Sequence, residues 1–107
     1  MEKVIKDNLV AVCYSPGYGA GWSTWCYNRE MCETLIFHPK IIQMVESGQK
    51  ITKDWLVENF GQEYDEVYIG NQDLAIKYVP VGCQFDIDEH DGYETVVIIT
   101  SQQYYIA

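Results

Sequence analysis

The feature that most constrains the fold is the regular punctuation of residues 66–100 by turn sequences. Short apolar stretches cover residues 66–69, 74–79, 83–87 and 93–100. The sequences between them are Gly70-Asn71, Pro80-Val81-Gly82 and Asp91-Gly92. Runs of this length bounded by Gly, Pro, Asn and Asp indicate β-strands. Asp91-Gly92 is the strongest signal, because a type I′ hairpin turn needs positive φ at both central residues. We therefore expect an antiparallel meander in this part of the chain.

The N-terminal half predicts one further strand. Leu9–Tyr14 is a short apolar run that contains β-branched residues, and it stops at Ser15-Pro16-Gly17. Ser, Pro and Gly in succession are a strong turn signal. We expect a strand over these residues that ends in a turn.

Two helices are predicted in the middle of the chain. Pro39 suits a first helical turn, where its missing N–H costs nothing. The residues that follow it at helical spacing are Ile41, Ile42, Met44 and Val45. Thr52 is placed to cap a second helix, which Gly61 ends. The predicted spans are residues 39–47 and 53–59.

These elements predict an α+β fold. The 107 residues, of which 48% are hydrophobic, suit a single domain over residues 1–107. The predicted architecture is an antiparallel sheet of about five strands with two helices on one face.

The charge balance argues against nucleic acid as a generic partner. The chain has seven Lys and Arg against 16 Asp and Glu, a net charge of −9. A protein that binds the phosphate backbone needs a basic face. The apolar runs are also shorter than a membrane span, so we expect no membrane partner.

The cysteines predict neither metal nor disulfides. No pair among the four has the C-x-x-C spacing, and no nearby His completes a zinc site. Met1-Glu2-Lys3 leads into a mixed segment and not a signal-peptide core. We expect a cytoplasmic protein with reduced thiols, no metal and no cofactor.

The least ordinary segment is a Gly-rich loop. It follows the first strand and is flanked by aromatic residues. Its glycine spacing fits neither a Walker loop nor a dinucleotide-binding fingerprint. Loop amides can cradle an anion and aromatic rings can stack on a base, so a ligand site is one hypothesis. A tight turn whose aromatic residues fill the core is the other. The candidate ligand-binding residues are Gly17, Tyr18, Gly19, Gly21, Trp22 and Trp25.

A second candidate is the acidic hairpin around Asp91-Gly92. Its carboxylates do not follow the order of a calcium-binding EF-hand loop. Alternation with Ile87 makes Asp86 and Asp88 the solvent-facing side of a strand. The alternative is a docking patch for a basic partner. The residues of that patch are Asp86, Asp88, Glu89 and Asp91.

Catalysis has no support in the sequence. The chain has two histidines, His38 and His90, and no Gly-x-Ser-x-Gly elbow surrounds Ser23. Without a motif that joins a nucleophile to a base, we expect a protein that is not an enzyme.

The segment YSPGYGAGWSTW, from Tyr14 to Trp25, resembles small proteins of bacteriophages and prophages. Later segments resemble the same group in the same order: residues 68–74, Pro80-Val81-Gly82, residues 85–89 and residues 91–94. The group has no established activity. The resemblance implies a mobile-element origin, and small phage accessory proteins often act by binding.

Three functional hypotheses follow. The first is a sponge for a nucleotide-like signal, with the Gly-rich loop as its site. The second is an acidic inhibitor that covers a basic surface of a host defence protein, as an anti-CRISPR protein does. The third is another structural or regulatory role in the phage. We rank the sponge marginally first, and homo-oligomerisation stays open.

Overall fold

A computed structural model describes residues 2–17, 21–69, 74–99 and 105–107, and confirms the α+β fold. The helices are α1 (Arg29–Phe37), α2 (Pro39–Glu46) and α3 (Lys53–Phe60). Two 3₁₀ turns cover Ser23–Trp25 and Gln62–Glu66. The strands are β1 (Ile5–Lys6), β2 (Leu9–Tyr14), β3 (Ala75–Pro80), β4 (Gln84–His90), β5 (Tyr93–Ile99) and β6 (Tyr105–Ile106).

Side-chain caps define where the three helices begin. The side chain of Asn28 accepts the N–H of Met31 at the start of α1. The Nδ1 atom of His38 caps α2. Thr52 Oγ1 accepts the N–H of Trp55 at 3.1 Å, which confirms the predicted cap of α3. Each cap satisfies one backbone donor that has no partner within the helix.

Two elements differ from the sequence prediction. Helix α1 was not predicted, although Asn28 and the i,i+4 ion pair of Arg29 with Glu33 are ordinary helix signals. The strand predicted over residues 66–69 is wrong. Residue 66 ends the second 3₁₀ turn and residues 67–69 form no strand. Burial of Tyr64 and Val67 against the helices explains this difference, because the core holds the segment there.

The described strands form two antiparallel sheets where one sheet of about five strands was expected. The first has the order β1-β2-β3 and the second β5-β4-β6. The turn after β3 explains the division. There the N–H of Val81 donates to the carbonyl of Asn8 in the β1–β2 turn of the first sheet, while the N–H of Gly82 donates to the carbonyl of Ala107 beside the second.

The hairpin turn between β4 and β5 has the predicted type I′ geometry. Asp91 and Gly92 have φ values of 52° and 83°, and His90 pairs with Tyr93. Asp7 and Asn8 form a similar turn between β1 and β2, with φ values of 53° and 64°.

Strand β2 lies at the centre of the molecule and is buried on both faces. Ala11 and Cys13 belong to a core shared with the helices, whereas Val10 and Val12 belong to a core shared with the second sheet. A strand covered on both faces must be apolar at every position. This explains the uninterrupted apolar run that predicted the strand.

Candidate functional site

The Gly-rich loop is held at its two ends by one buried carboxylate from β5. Glu94 is 0% exposed. Its Oε1 accepts the N–H of Ser15 at 2.9 Å, and its Oε2 accepts the N–H groups of Trp22 at 2.8 Å and Thr24 at 3.1 Å. The hydroxyl of Thr24 donates to the same Oε2 at 2.5 Å. The N–H of Glu94 donates in turn to the carbonyl of Ser15 at 2.7 Å.

This arrangement is an anion site filled by the chain itself. A buried carboxylate is tolerated where several donors satisfy its oxygens. Three backbone N–H groups and one hydroxyl do so around Glu94. These particular amides therefore do not face an external anion. The sequence singled out the loop but missed Glu94, although alternation places this residue on the same face of β5 as the buried Val96.

Trp22 belongs to the core. Its side chain is 2% exposed, and its indole N–H donates to the carbonyl of Leu35 at 2.8 Å. The role of base-stacking ring that we assigned to Trp22 is therefore corrected to a structural one. Gly21 is also buried, and a Cβ atom there would lie 2.4 Å from Cγ of Trp25. The absence of a side chain at Gly21 therefore leaves room for the ring of Trp25.

The other loop candidates are placed differently. Gly17 is half-buried, while Tyr18 and Gly19 lie outside the described residues. Trp25 is half-buried and lines a surface cleft. A ligand site that includes Gly17, Tyr18 and Gly19 stays a prediction.

The cleft beside Trp25 has a volume of about 320 Å³. Its lining residues are Trp25, Cys26, Tyr27, Asn28, Met31, Glu63 and Glu66. The rings of Tyr68 and Trp25 pack edge to face, with centroids 4.8 Å apart and an angle of 66° between their planes. The side chain of Tyr27 is fully exposed at 102%. The cleft therefore combines aromatic rings with two carboxylates.

The surroundings of this cleft are electronegative. Burial raises the pKa of the Tyr64 phenol, and a hydrogen bond with Thr34 lowers it in part. The negative charges of Glu63 and Glu30 raise this pKa further. No Lys, Arg or His is among the described residues that line the cleft. Sequence reasoning missed this site, because Glu63 and Glu66 are far from Trp25 along the chain.

The acidic hairpin presents a second surface. Cross-strand pairs place Asp86 beside Val97, Asp88 beside Thr95 and Ile106 beside Gln84. Since paired residues share a face, one face of the second sheet mixes carboxylates with apolar side chains. We call it the outer face and define it by Asp86, Asp88, Tyr93, Val97 and Ile106.

The outer face is accessible, and Lys3 lies at its β6 edge, where the Lys3 Nζ donates to the backbone carbonyl of Ile106 at 2.6 Å. Tyr93 is 38% exposed, Val97 36% and Ile106 44%. Asp88 is exposed and Asp86 half-buried. Residues 78–107 contain no Lys or Arg. In the parts of the chain that the structure describes, no Lys or Arg pairs with either aspartate.

The hairpin tip holds the other two predicted docking residues. Glu89 and Asp91 are both exposed. Glu89 accepts the N–H of Gly92 at 2.9 Å, and Asp91 lies 3.6 Å from the imidazole of His90. All four predicted docking residues lie in one hairpin, but alternation along β4 places Glu89 on the face opposite to Asp86 and Asp88.

The four thiols are free and lie in different environments. Burial raises the pKa of Cys13, and the charge of Glu94 raises it further. Burial also raises the pKa of Cys32 to about 12, with Cys26 contributing. Cys26 and Cys83 are half-buried. A thiol held protonated is a poor nucleophile, so Cys13 and Cys32 lack a feature that catalysis would need.

Three further observations concern membrane spans, metal ligands and similarity to known proteins. No helix within the described ranges approaches the ~20 apolar residues that cross a membrane. Nor do three or more His, Cys, Asp or Glu side chains within these ranges come together as metal ligands. No protein-family model, curated protein or solved structure matches the chain.

Proposed function

We propose that this chain is a non-enzymatic binding protein that docks the outer face of its second sheet onto a basic surface of a partner protein. One observation carries the proposal: the outer face alternates carboxylates that have no Lys or Arg partner among the described residues with exposed apolar side chains. Acidic residues that serve only to keep the surface solvated would not need exposed apolar side chains on the same face.

The mixture of side chains suits a protein partner. Aromatic and aliphatic groups supply the desolvated centre of an interface, and charges around them steer and orient the partner. Tyr93 and Val97 supply the apolar part, and Asp86 and Asp88 supply the charge. With a net charge of −9, the molecule attracts basic surfaces over a Debye length of about 8 Å at physiological salt.

The site chemistry favours this function over nucleotide sequestration. The loop amides of Ser15, Trp22 and Thr24 already bind Glu94, and the ring of Trp22 is buried. A nucleotide would also approach an acidic molecule with few cations to neutralise its phosphates. In the phage setting that the resemblance implies, the proposed partner is a host defence protein with a basic surface.

The test begins with affinity capture from a bacterial extract. Each captured protein is identified, purified and titrated against three forms of this chain. D86N/D88N removes two charges from the outer face. E58Q/D65N removes two exposed charges from the helical side and is the matched control.

We expect D86N/D88N to weaken binding about 10-fold and the control to change it by less than about 2-fold. Added salt should weaken the wild-type complex and abolish most of the difference between variants. Equal loss in both variants would contradict docking through the outer face. Calorimetric titration with cyclic and linear nucleotides is the parallel arm, and micromolar binding there would favour the sponge instead.

A further inference from the structure

The cleft beside Trp25 has a chemistry that the outer face does not explain. It lies next to the first 3₁₀ turn and is lined by two aromatic rings, one thioether and two carboxylates. Its volume of about 320 Å³ is at the lower end of the range for ligand pockets. The cleft is therefore large enough for one side chain or one small molecule.

The electrostatics select a cation. The rings of Trp25 and Tyr27 and the carboxylates of Glu63 and Glu66 line the cleft, and Gly21 and Tyr68 pack against other parts of the Trp25 ring. Cations bind over aromatic faces, most strongly over Trp. An anionic ligand would meet two carboxylates and no Lys, Arg or His among the described lining residues.

The combination of flat rings and carboxylates narrows the cation further. A guanidinium group is planar, so it stacks on an aromatic face, and its fork of N–H donors matches a carboxylate. A quaternary ammonium has no N–H to offer Glu63 or Glu66. A primary ammonium is more strongly hydrated and does not stack.

Tyr27 supports the assignment independently of the acids. Its side chain is fully exposed at the rim of the cleft, whose remaining lining residues are Cys26, Asn28 and Met31. A tyrosine with no covered surface contributes nothing to the core. A ligand stacked in the cleft would cover part of this ring.

We propose that this cleft binds a guanidinium group, stacked against Trp25 and Tyr27 and hydrogen-bonded to Glu63 and Glu66. The inference does not depend on the outer face, because the cleft shares no residue with it. The same chemistry is available from an arginine side chain in a polypeptide and from a free guanidinium metabolite.

The test uses small probes and the full chain. The probes are N-acetyl-arginine amide, its uncharged isostere N-acetyl-citrulline amide, N-acetyl-lysine amide and free arginine. Binding is followed by NMR at the indole N–H of Trp25, assigned with Trp25→Phe. A single side chain should bind with a Kd of about 1–10 mM.

We expect a saturable shift with the arginine amide, a weaker one with the lysine amide and none with the citrulline amide. E63Q/E66Q should weaken binding about 5-fold, and Tyr27→Ala about 3-fold, with unchanged thermal unfolding. D54N/E58Q removes two exposed charges from α3, which does not line the cleft, and should leave Kd within about 2-fold.

Three results would overturn the assignment: equal binding of the citrulline amide, no shift up to about 50 mM arginine amide, or equal loss in D54N/E58Q and E63Q/E66Q. Stronger binding of the arginine amide than of free arginine would support an arginine presented by a polypeptide. The reverse order would support a free metabolite, and both orders support the guanidinium group.

Discussion

Glu89 and Glu94 lie directly opposite each other in the β4–β5 hairpin, yet their environments differ in the extreme. From the described residues, the fully buried Glu94 accepts four hydrogen bonds at the ends of the Gly-rich loop. The exposed Glu89 accepts one from the same set of residues, donated by Gly92 in the turn. Like charges directly opposite destabilise a strand pair. Here the two carboxylates are satisfied by different backbone donors.

The comparison shows that the carboxylates of this hairpin lie in two different environments. At the loop side, the Glu94 carboxylate accepts hydrogen bonds from the amides of Ser15, Trp22 and Thr24. On the outer face and at the tip, carboxylates are left for solvent or a partner. Net charge alone does not distinguish these cases, because burial and the number of donors decide them.

The largest effect on stability is expected from removing Glu94, the buried carboxylate of this pair. Glu94→Ala would leave the amides of Ser15, Trp22 and Thr24 without their acceptor. We expect the free energy of unfolding to fall by about 4 kcal/mol, since each unsatisfied buried donor costs 1–3 kcal/mol. Equilibrium unfolding in urea measures it.

The control for this change is Glu89→Ala in the same strand pair. It removes a carboxylate of the same size from an exposed position, and we expect a loss of about 0.5 kcal/mol. Equal losses in the two variants would mean that the Glu94 network contributes little to stability.

A smaller effect is expected from closing the space between the loop and the cleft. Gly21→Ala would place its Cβ atom 2.4 Å from Cγ of Trp25, so the ring must move. We expect a loss of about 2 kcal/mol in unfolding free energy from overpacking, together with a shifted Trp25 indole signal.

Gly48→Ala separates steric overlap from backbone strain. Gly48 has φ of 78° and no atom within 4 Å of an added Cβ. Strain alone should cost about 1 kcal/mol there, with the Trp25 signal unchanged. A shifted Trp25 signal in Gly48→Ala, or an unshifted one in Gly21→Ala, would contradict the close approach of Trp25 to the loop.

The smallest effect on stability accompanies thiol labelling, because no residue of the wild-type chain is replaced. The raised pKa of Cys13 and Cys32 keeps both thiols protonated, whereas Cys26 and Cys83 are partly accessible. At about pH 8, we expect iodoacetamide to modify the first two at least 100-fold more slowly than Cys83. Mass spectrometry of timed samples gives the rates.

The Glu94→Ala variant sharpens this measurement. Without the carboxylate, one of the two causes that raise the pKa of Cys13 disappears, so labelling of Cys13 should accelerate more than that of Cys32. Labelling of wild-type Cys13 as fast as Cys83 would contradict the burial of β2.

Local signals predicted much of the fold. The apolar run of β2, the Thr52 cap and the Asp91-Gly92 turn each depend on a few neighbouring residues, and each is found in the structure. The helix predicted over residues 39–47 extends over Pro39–Glu46, and the one over residues 53–59 over Lys53–Phe60. Their caps and breakers act within one turn of the chain.

The site depended on contacts that no local pattern contains. Glu94 meets Ser15, Trp22 and Thr24 across sequence separations of 70–79 residues. The cleft joins Trp25 to Glu63 and Glu66 in the same way. Period-two alternation identifies Glu94 as an inward-facing acid, but its partners follow only from how the two sheets pack.

The central position of β2 has a consequence for how the chain reaches this structure. Leu9 pairs with Pro80 and Tyr14 with Ala75. The central strand β2 therefore pairs with a segment that lies some 60 to 70 residues later in the sequence. Long-range pairing of this kind slows folding, because loop closure comes before the contacts that reward it. During synthesis β2 can pair with β1 and contact the helices, but its other edge stays unpaired until β3 has emerged, and a chaperone that shields this edge would raise the yield of folded protein.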